Sequence, residues 1–228
     1  AMNGKKVLLL EKGKRIGGSL SRFYRQGIPL DTGFHFTGGF SRDGILADML
    51  GILSIKDEIR PEFVKRAEDN RFIFETDEQS YHLPTGHDNI MKAILHYFPD
   101  ETNAVKVYFD MLRQVIEETG AMDIRSITSD RTATSEYEFI SLEAVLNSLT
   151  ENIRLKSLLS SLSMCYGTEA ASVSFADHSR VVYSLYQSIA RVTGGGDAFI
   201  TAFKRKFEQY GVTVRTNTSI TSMEDITN

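Results

Sequence analysis

The sequence predicts an α/β protein (α+β overall) in which the two ends of the chain build one partial parallel sheet. Residues 7–10 are four large apolar side chains between a turn and a glycine-rich loop, as in a strand buried on both faces. Near the other end, a predicted helix over residues 197–210 stops at Gly211 and leads directly into a strand at residues 212–215. Because a helix that precedes a strand is half of a βαβ crossover, we expect residues 212–215 to pair alongside residues 7–10.

The segment between these ends is predicted to form a second lobe. Gln26 and Gly27 supply a turn between two strand-like segments, and much of the later chain shows amphipathic helical patterns. We therefore expect one domain to consist of residues 1–40 and 191–228, and an inserted lobe of hairpin and helical segments to consist of residues 41–190.

Composition and charge exclude several classes of protein. Of the 228 residues, 41% are hydrophobic and 25% are charged, which is the balance of an ordinary globular protein. The formal net charge of -4 argues against nucleic acid as a partner. Cys165 is the single cysteine, so an internal disulfide is excluded and a zinc site gains no support. The chain shows neither a bilayer-spanning apolar run nor a signal-peptide pattern, so we expect a cytoplasmic protein, with peripheral membrane contact left open.

An acidic residue and a pair of glycines follow the first predicted strand. Glu11 stands at the strand end, where a carboxylate can accept hydrogen bonds from the two hydroxyls of a ribose. Gly17 and Gly18 come shortly afterwards, and without Cβ atoms their backbone N–H groups can approach a pyrophosphate closely. Taken singly, each feature is more typical of a solvated strand end or an ordinary turn. Together, at this spacing, they favour a nucleotide site.

Four segments in the same order resemble a known group of flavoproteins. Val-Leu-Leu-Leu-Glu-Lys-Gly-Lys-Arg-Ile-Gly-Gly-Ser at residues 7–19 is similar to the second fingerprint of FAD-dependent amine oxidases and phytoene desaturases. Residues 27–36 resemble the Phe-Asp-x-Gly-x-His stretch of retinol saturases and carotenoid isomerases. Residues 166–178 and 194–214 resemble the substrate-side segment of those proteins and the return to their flavin domain.

This resemblance implies a Rossmann-like FAD-binding sheet, built from the two chain ends, and a substrate-binding (cap) lobe. The cofactor would be FAD, and the activity would be that of a flavin-dependent oxidoreductase. The substrate would be an apolar polyene, such as a retinoid or carotenoid, that reacts at a double bond. Reduction, desaturation and isomerisation of that bond all remain open, because one fold supports many chemistries.

The resemblance also assigns roles to individual residues of the predicted cofactor site. Glu11 would bind the adenosine ribose, and Gly17, Gly18 and Ser19 would line the path of the pyrophosphate and ribityl groups. Ile220 occupies the place where such proteins hold the adenine through backbone groups.

A second group of residues would lie near the reactive face of the flavin. The resemblance places Asp31, Gly33 and His35 there, and His35 is the candidate catalytic residue. Without the resemblance, a histidine flanked by two phenylalanines would be interpreted as a core residue. No histidine spacing in the sequence predicts a metal site.

Parts of the family pattern would lie outside the sequence. The first strand and its G-x-G-x-x-G turn would precede Asn3, and a C-terminal flavin-binding segment would follow Asn228. We therefore expect the chain alone to bind FAD weakly or not at all, to be inactive, and to expose a sheet edge that favours dimerisation. The alternative is a non-catalytic fragment of the substrate lobe, or a small lipid- or protein-binding module, without bound FAD.

Overall fold

The computed structural model describes residues 1–66, 69–75, 79–119, 124 and 135–222. The chain divides into two compact units. Unit 1 consists of Ala1–Phe36, Leu50–Glu62 and Arg191–Asn228, and unit 2 consists of Thr37–Met49 and Phe63–Ala190. The assignment of one domain to the cofactor and the other to the substrate stays a prediction.

The described residues form eight short strands and seven α-helices. The strands are β1 (Leu8–Leu10), β2 (Arg22–Arg25), β3 (Ile28–Asp31), β4 (Pro61–Phe63), β5 (Arg71–Ile73), β6 (Ser80–His82), β7 (Ala190–Val192) and β8 (Thr213–Arg215). The helices are α1 (Ile45–Ile52), α2 (His87–Tyr97), α3 (Thr102–Glu118), α4 (Leu142–Leu149), α5 (Ile153–Ser160), α6 (Phe175–Gln187) and α7 (Gly196–Gln209). The strands pair as β1–β8, β2–β3, β4–β7 and β5–β6. None of the helices in the described part of the chain is long and apolar enough to cross a membrane.

The two chain ends meet in a parallel pair of strands within unit 1. Leu8 lies opposite Thr213 and Leu10 opposite Arg215, which confirms the predicted pairing of β1 with β8. The prediction that β1 is buried on both faces is wrong, because Leu8 is 50% exposed and Val214 in β8 is also exposed. Among the described residues β8 is the only strand beside β1, and a sheet of two strands is too narrow to be covered like a wide parallel sheet.

The predicted hairpin forms from β2 and β3. Arg22 pairs with Asp31 at its open end, and Arg25 pairs with Ile28 at the turn. Gln26 and Gly27 both have positive φ angles, 49° and 79°, as in the two-residue turns that match the twist of a hairpin.

The principal hydrophobic core belongs to unit 2. A buried cluster within residues 81–186 joins the apolar faces of α2 to α6, with α3 packed on α6. The sequence sets where these helices begin, since the side-chain oxygens of Ser141, Asn152 and Ser174 accept backbone N–H bonds at the starts of α4, α5 and α6. In unit 2 the capping residues and the amphipathic patterns therefore indicate the same helices.

A polar network is enclosed in this core. His178 on α6 is fully buried, and its Nε2 lies 3.0 Å from the hydroxyl of Tyr108 and its Nδ1 2.5 Å from the hydroxyl of Tyr166. Burial lowers the pKa of His178 to about 4, so the ring is neutral at physiological pH. Both ring nitrogens thus have partners, as buried polar atoms require.

Candidate cofactor site

The carboxyl ends of β1 and β8 lie at the same edge of the parallel pair. Glu11 directly follows β1, and its backbone N–H donates to the carbonyl oxygen of Arg215 at 2.8 Å. The backbone N–H of Thr218 in turn donates to the carbonyl oxygen of Glu11 at 2.9 Å. These bonds hold the segment that leads to Ile220 beside Glu11, so the predicted ribose and adenine positions share the edge where parallel sheets bind ligands.

The Glu11 carboxylate is held by its own loop. Its Oε1 accepts the backbone N–H of Gly13 at 2.5 Å. The carbonyl oxygen of Gly13 accepts the backbone N–H of Asn217 at 3.0 Å, which fixes this loop to the chain after β8. A carboxylate offers about four lone-pair positions, so Glu11 retains acceptor capacity for the hydroxyls of a ribose.

Gly17 and Gly18 are glycines for different reasons. Gly17 has a φ of +122°, and a Cβ there would lie 2.3 Å from Cδ1 of Ile200 on α7. Gly18 has a φ of +50°, and a Cβ there would enter open space. Gly17 thus permits the loop to pack on α7, whereas Gly18 leaves room on the open side of the loop. The backbone at Gly18 is therefore accessible from solvent.

Asp31 lies in an ion-pair cluster at the open end of the hairpin. Its side chain is 7% exposed, and Oδ1 lies 2.8 Å from Nε of Arg22, in an ion pair without hydrogen-bond geometry. Oδ2 lies 3.6 Å from Nη2 of Arg191. A Cβ at Gly195 would lie 2.2 Å from Oδ1, so the backbone before α7 packs directly on this carboxylate. The sequence did not predict these ion-pair partners of Asp31, although the pair with Arg22 follows from the hairpin register.

The remaining predicted residues are more exposed. A Cβ at Gly33 would lie 3.7 Å from the carbonyl oxygen of Ser19, so these two exposed residues are neighbours. His35 is also exposed, although the adjacent Phe34 packs edge-on against Phe199 with ring centroids 5.3 Å apart. Ile220 is 45% exposed at the sheet edge. The roles predicted for these residues stay predictions.

A known protein family matches nearly the whole chain. The model of the family described as flavin containing amine oxidoreductase matches residues 1–227. The chain belongs to this family. Among the described residues of this family member, no group of three or more His, Cys, Asp or Glu side chains is placed to hold a metal ion.

One curated relative of the chain is the all-trans-retinol 13,14-reductase of Danio rerio. The two sequences are 28% identical over 194 residues, which cover 78% of this chain and 32% of the relative. The chain therefore spans about a third of the length of that relative. The resemblance to flavoproteins of this kind is confirmed.

Solved structures support the same fold. A protein from Pyrococcus furiosus has a TM-score of 0.61 at 18% identity, and a triple mutant of putrescine oxidase has a TM-score of 0.59 at 16% identity. In both comparisons the match covers 95% of this chain and 46% of the other. At such identities the likeness concerns the fold alone, and it confirms the predicted α/β fold class.

Proposed function

We propose that this chain supplies the adenosine side of an FAD site in an oxidoreductase that acts on a double bond of an apolar polyene. The proposal rests on one observation: Glu11 and the segment that leads through Thr218 to Ile220 are hydrogen-bonded to each other at the carboxyl edge of β1 and β8. The loop that follows Glu11 reaches Gly18, whose backbone faces open space. When FAD is bound, it supplies the two-electron redox chemistry, while the protein orients it and sets its electrostatic surroundings.

Each of these groups has a separate task in the proposed site. The Glu11 carboxylate accepts hydrogen bonds from the ribose hydroxyls, and such charge-assisted bonds are stronger than neutral ones. The backbone at Gly18 approaches the pyrophosphate, and backbone groups near Ile220 hold the adenine edge. Unit 1 has 14 Lys and Arg residues against 9 Asp and Glu, so its surplus of positive charge favours the two negative charges of the pyrophosphate.

The substrate class is supported by a different part of the chain. The resemblance of residues 27–36 to retinol saturases and the similarity to a retinol reductase favour a retinoid or carotenoid-like molecule. We propose His35 as the catalytic candidate, with Asp31 and Gly33 near the reactive face of the flavin. We also propose a cytoplasmic location with peripheral membrane contact, no nucleic-acid partner, and dimerisation through the free edge of β1.

The proposed contact between Glu11 and the ribose is tested with ADP and FMN, which represent the adenosine side and the flavin side of FAD. We expect the 228-residue chain to bind ADP more tightly than FMN, because its site residues belong to the adenosine side. The Glu11→Ala variant should lose about tenfold in ADP affinity, the size of about one hydrogen bond to a charged group. The measurement is isothermal titration calorimetry at fixed salt. The control is Glu151→Ala, which removes the same charge from a side chain that is 99% exposed.

An analogue of the ligand separates the ribose contact from general effects on charge. Wild-type chain should bind 2′,3′-dideoxy-ADP about as weakly as the Glu11→Ala variant binds ADP, and that variant should not distinguish the two ligands. If Glu11→Ala leaves ADP affinity unchanged, or weakens both ligands equally, the ribose role of Glu11 is wrong.

The reaction is tested on the FAD-loaded oxidoreductase to which this chain is proposed to contribute, with two substrate classes. All-trans-retinol and a carotenoid represent polyenes, and putrescine represents amines. Mass spectrometry of the products distinguishes a gain of two hydrogens from a loss of two hydrogens and from isomerisation without a change in mass. Turnover of the amine with no conversion of the polyenes would overturn the proposed substrate class.

The second candidate function is a non-catalytic module without FAD. The observation that favours it is the position of the buried core cluster, which lies within unit 2 alone. A colourless protein that gains no thermal stability from added FAD or ADP supports this candidate, because a ligand that binds the native state must stabilise it.

A further inference from the structure

A second cleft of unit 1 lies beside the C-terminal half of α7. It has a volume of about 330 Å³, and Lys14, Arg15 and Lys204 all line it. One acidic residue, Glu208, also lines the cleft, so its walls retain a surplus of positive charge. Neither Gly17 nor Gly18 nor Glu11 lines it.

A smaller neighbouring cleft extends the same basic surface. It has a volume of about 260 Å³ and shares Arg15, Ile16 and Lys204 with the first. The hydroxyl-bearing residues Ser21 and Thr201 also line it. Arg15 and Lys204 therefore stand where the two clefts adjoin, and they can donate hydrogen bonds into either.

The three consecutive cations on α7 differ in what they contact. Arg205 forms an ion pair with Glu58. Lys206 donates to the side chain of Gln209 at 3.0 Å and lies 6.0 Å from the ring centre of Tyr210. Lys204 has no ion pair among the described residues, and it lines both clefts instead. One of these three cations is thus placed at a concave site.

Backbone contacts hold in place the loop that carries the other two cations of the cleft. Lys14 and Arg15 follow Gly13, whose carbonyl oxygen accepts the backbone N–H of Asn217 at 3.0 Å. The loop beyond them packs on α7 at Gly17. Neither Lys14 nor Arg15 has an ion pair within the described ranges of the chain. Two cations on anchored backbone therefore line the same cleft as Lys204.

The cleft also has an apolar wall. Phe207 on α7, Val212 before β8 and Val214 within β8 line it together with Ile16. Basic groups beside apolar side chains suit a ligand with an anionic head and an apolar body, because burial of each methylene stabilises the complex and the head remains paired with cations.

We propose that this cleft binds an amphipathic anion, with its carboxylate or phosphate head between Lys14, Arg15 and Lys204. The apolar chain of the ligand lies along Phe207 and Val214. This site is separate from the ribose and pyrophosphate positions, and it does not depend on FAD binding. The shared chemistry is an anionic oxygen group on a short alkyl chain, whether a fatty carboxylate or an alkyl phosphate.

The experiment is calorimetric titration of the 228-residue chain with butyrate, octanoate, decanoate, decyl phosphate and inorganic phosphate. We expect affinity to rise about fourfold for each methylene that the cleft buries. The double variant Lys14→Gln/Lys204→Gln should lose about tenfold in affinity for decanoate. The matched control is Lys92→Gln/Lys106→Gln, which removes the same charge from two exposed positions of unit 2.

Each result decides the proposal. A dependence on chain length, together with a selective loss in the cleft variant, supports it, and the preference between decanoate and decyl phosphate identifies the head group. Equal affinity for inorganic phosphate and decanoate overturns it, as do equal losses in both double variants, no binding at millimolar ligand, or displacement of decanoate by ADP. The last outcome would assign the cations to the nucleotide site.

Discussion

Unit 1 and unit 2 bury their apolar side chains to different extents. In unit 2, the facing sides of α3 and α6 enclose residues such as Tyr108 and Phe175 completely. In unit 1, both strands of the hairpin and both strands of the parallel pair leave large apolar side chains exposed, among them Leu8 and Ile28. The two units also carry opposite net charge, since unit 2 has 12 Lys and Arg residues against 21 Asp and Glu, and unit 1 has the reverse balance.

This difference separates a unit with a large buried core from a unit whose strands leave apolar side chains exposed. In unit 2, capped helices with apolar faces bury most of their apolar side chains against one another. Unit 1 instead relies on close backbone approaches and on a buried ion pair, which position groups without providing much hydrophobic stabilisation. We therefore expect the loss of an apolar side chain to cost more stability in unit 2 than in unit 1, where the buried ion pair is the more sensitive feature.

The largest expected effect concerns the core of unit 2. Phe175 is 0% exposed, and the Phe175→Ala variant should lose about 4 kcal/mol in free energy of unfolding because of lost burial and the cavity left behind. The control is Phe139→Ala, since Phe139 is 87% exposed and its loss should change stability by less than about 0.5 kcal/mol. Urea unfolding followed by circular dichroism measures both. Similar values for the two variants would contradict the proposed core.

A smaller effect is expected from the ion pair of unit 1. Asp31→Asn leaves Arg22 buried without its counter-charge, which should cost about 3 kcal/mol. The matched variant is Asp110→Asn, which breaks an exposed pair with Arg113 and should cost less than about 0.5 kcal/mol. The same unfolding measurement compares them. If Asp31→Asn instead leaves stability unchanged while it weakens FAD binding, Asp31 contributes to cofactor binding rather than to the stability of the fold.

The smallest expected effect depends on pH. The pKa of His178 lies at about 4 in the folded chain, below the ordinary 6.5, because burial disfavours the charged ring. As the pH falls below 6.5 the unfolded chain takes up this proton first, so the stability contributed by the neutral ring declines toward pH 4. The decline should amount to about 2 kcal/mol between pH 6.5 and pH 4.5. His178→Gln should remove this part of the pH dependence of unfolding, whereas the exposed His96→Gln should not. Parallel pH profiles of the free energy of unfolding for wild type and His178→Gln would contradict this prediction.

Local patterns predicted local structure well. Gln26 and Gly27 identified the hairpin because a two-residue turn with positive φ angles constrains only its neighbours. The parallel pairing of β1 with β8 could be predicted because a helix that runs into a strand fixes the direction of the crossover. The positions of Glu11 and Gly18 after β1 follow from their spacing in the sequence, whereas their roles toward a cofactor stay predictions.

Features that depend on distant chain segments could not be predicted in this way. Whether Leu8 is covered depends on how wide its sheet is, which residues 7–10 do not encode. The contacts of Asp31 with Arg191 and with the backbone at Gly195 join positions about 160 residues apart in sequence. Burial of His178 between two tyrosines likewise follows from how α3 and α6 pack, because no neighbour in sequence indicates it.

The two adjacent glycines of the cofactor loop can be altered independently. A side chain at Gly17 would push against α7, so any replacement there disturbs the scaffold. At Gly18 a replacement by asparagine, which tolerates a left-handed backbone, would project only into open space. Position 18 can therefore be varied to change the exposed surface of this loop, whereas position 17 has to remain glycine for the loop to pack on α7.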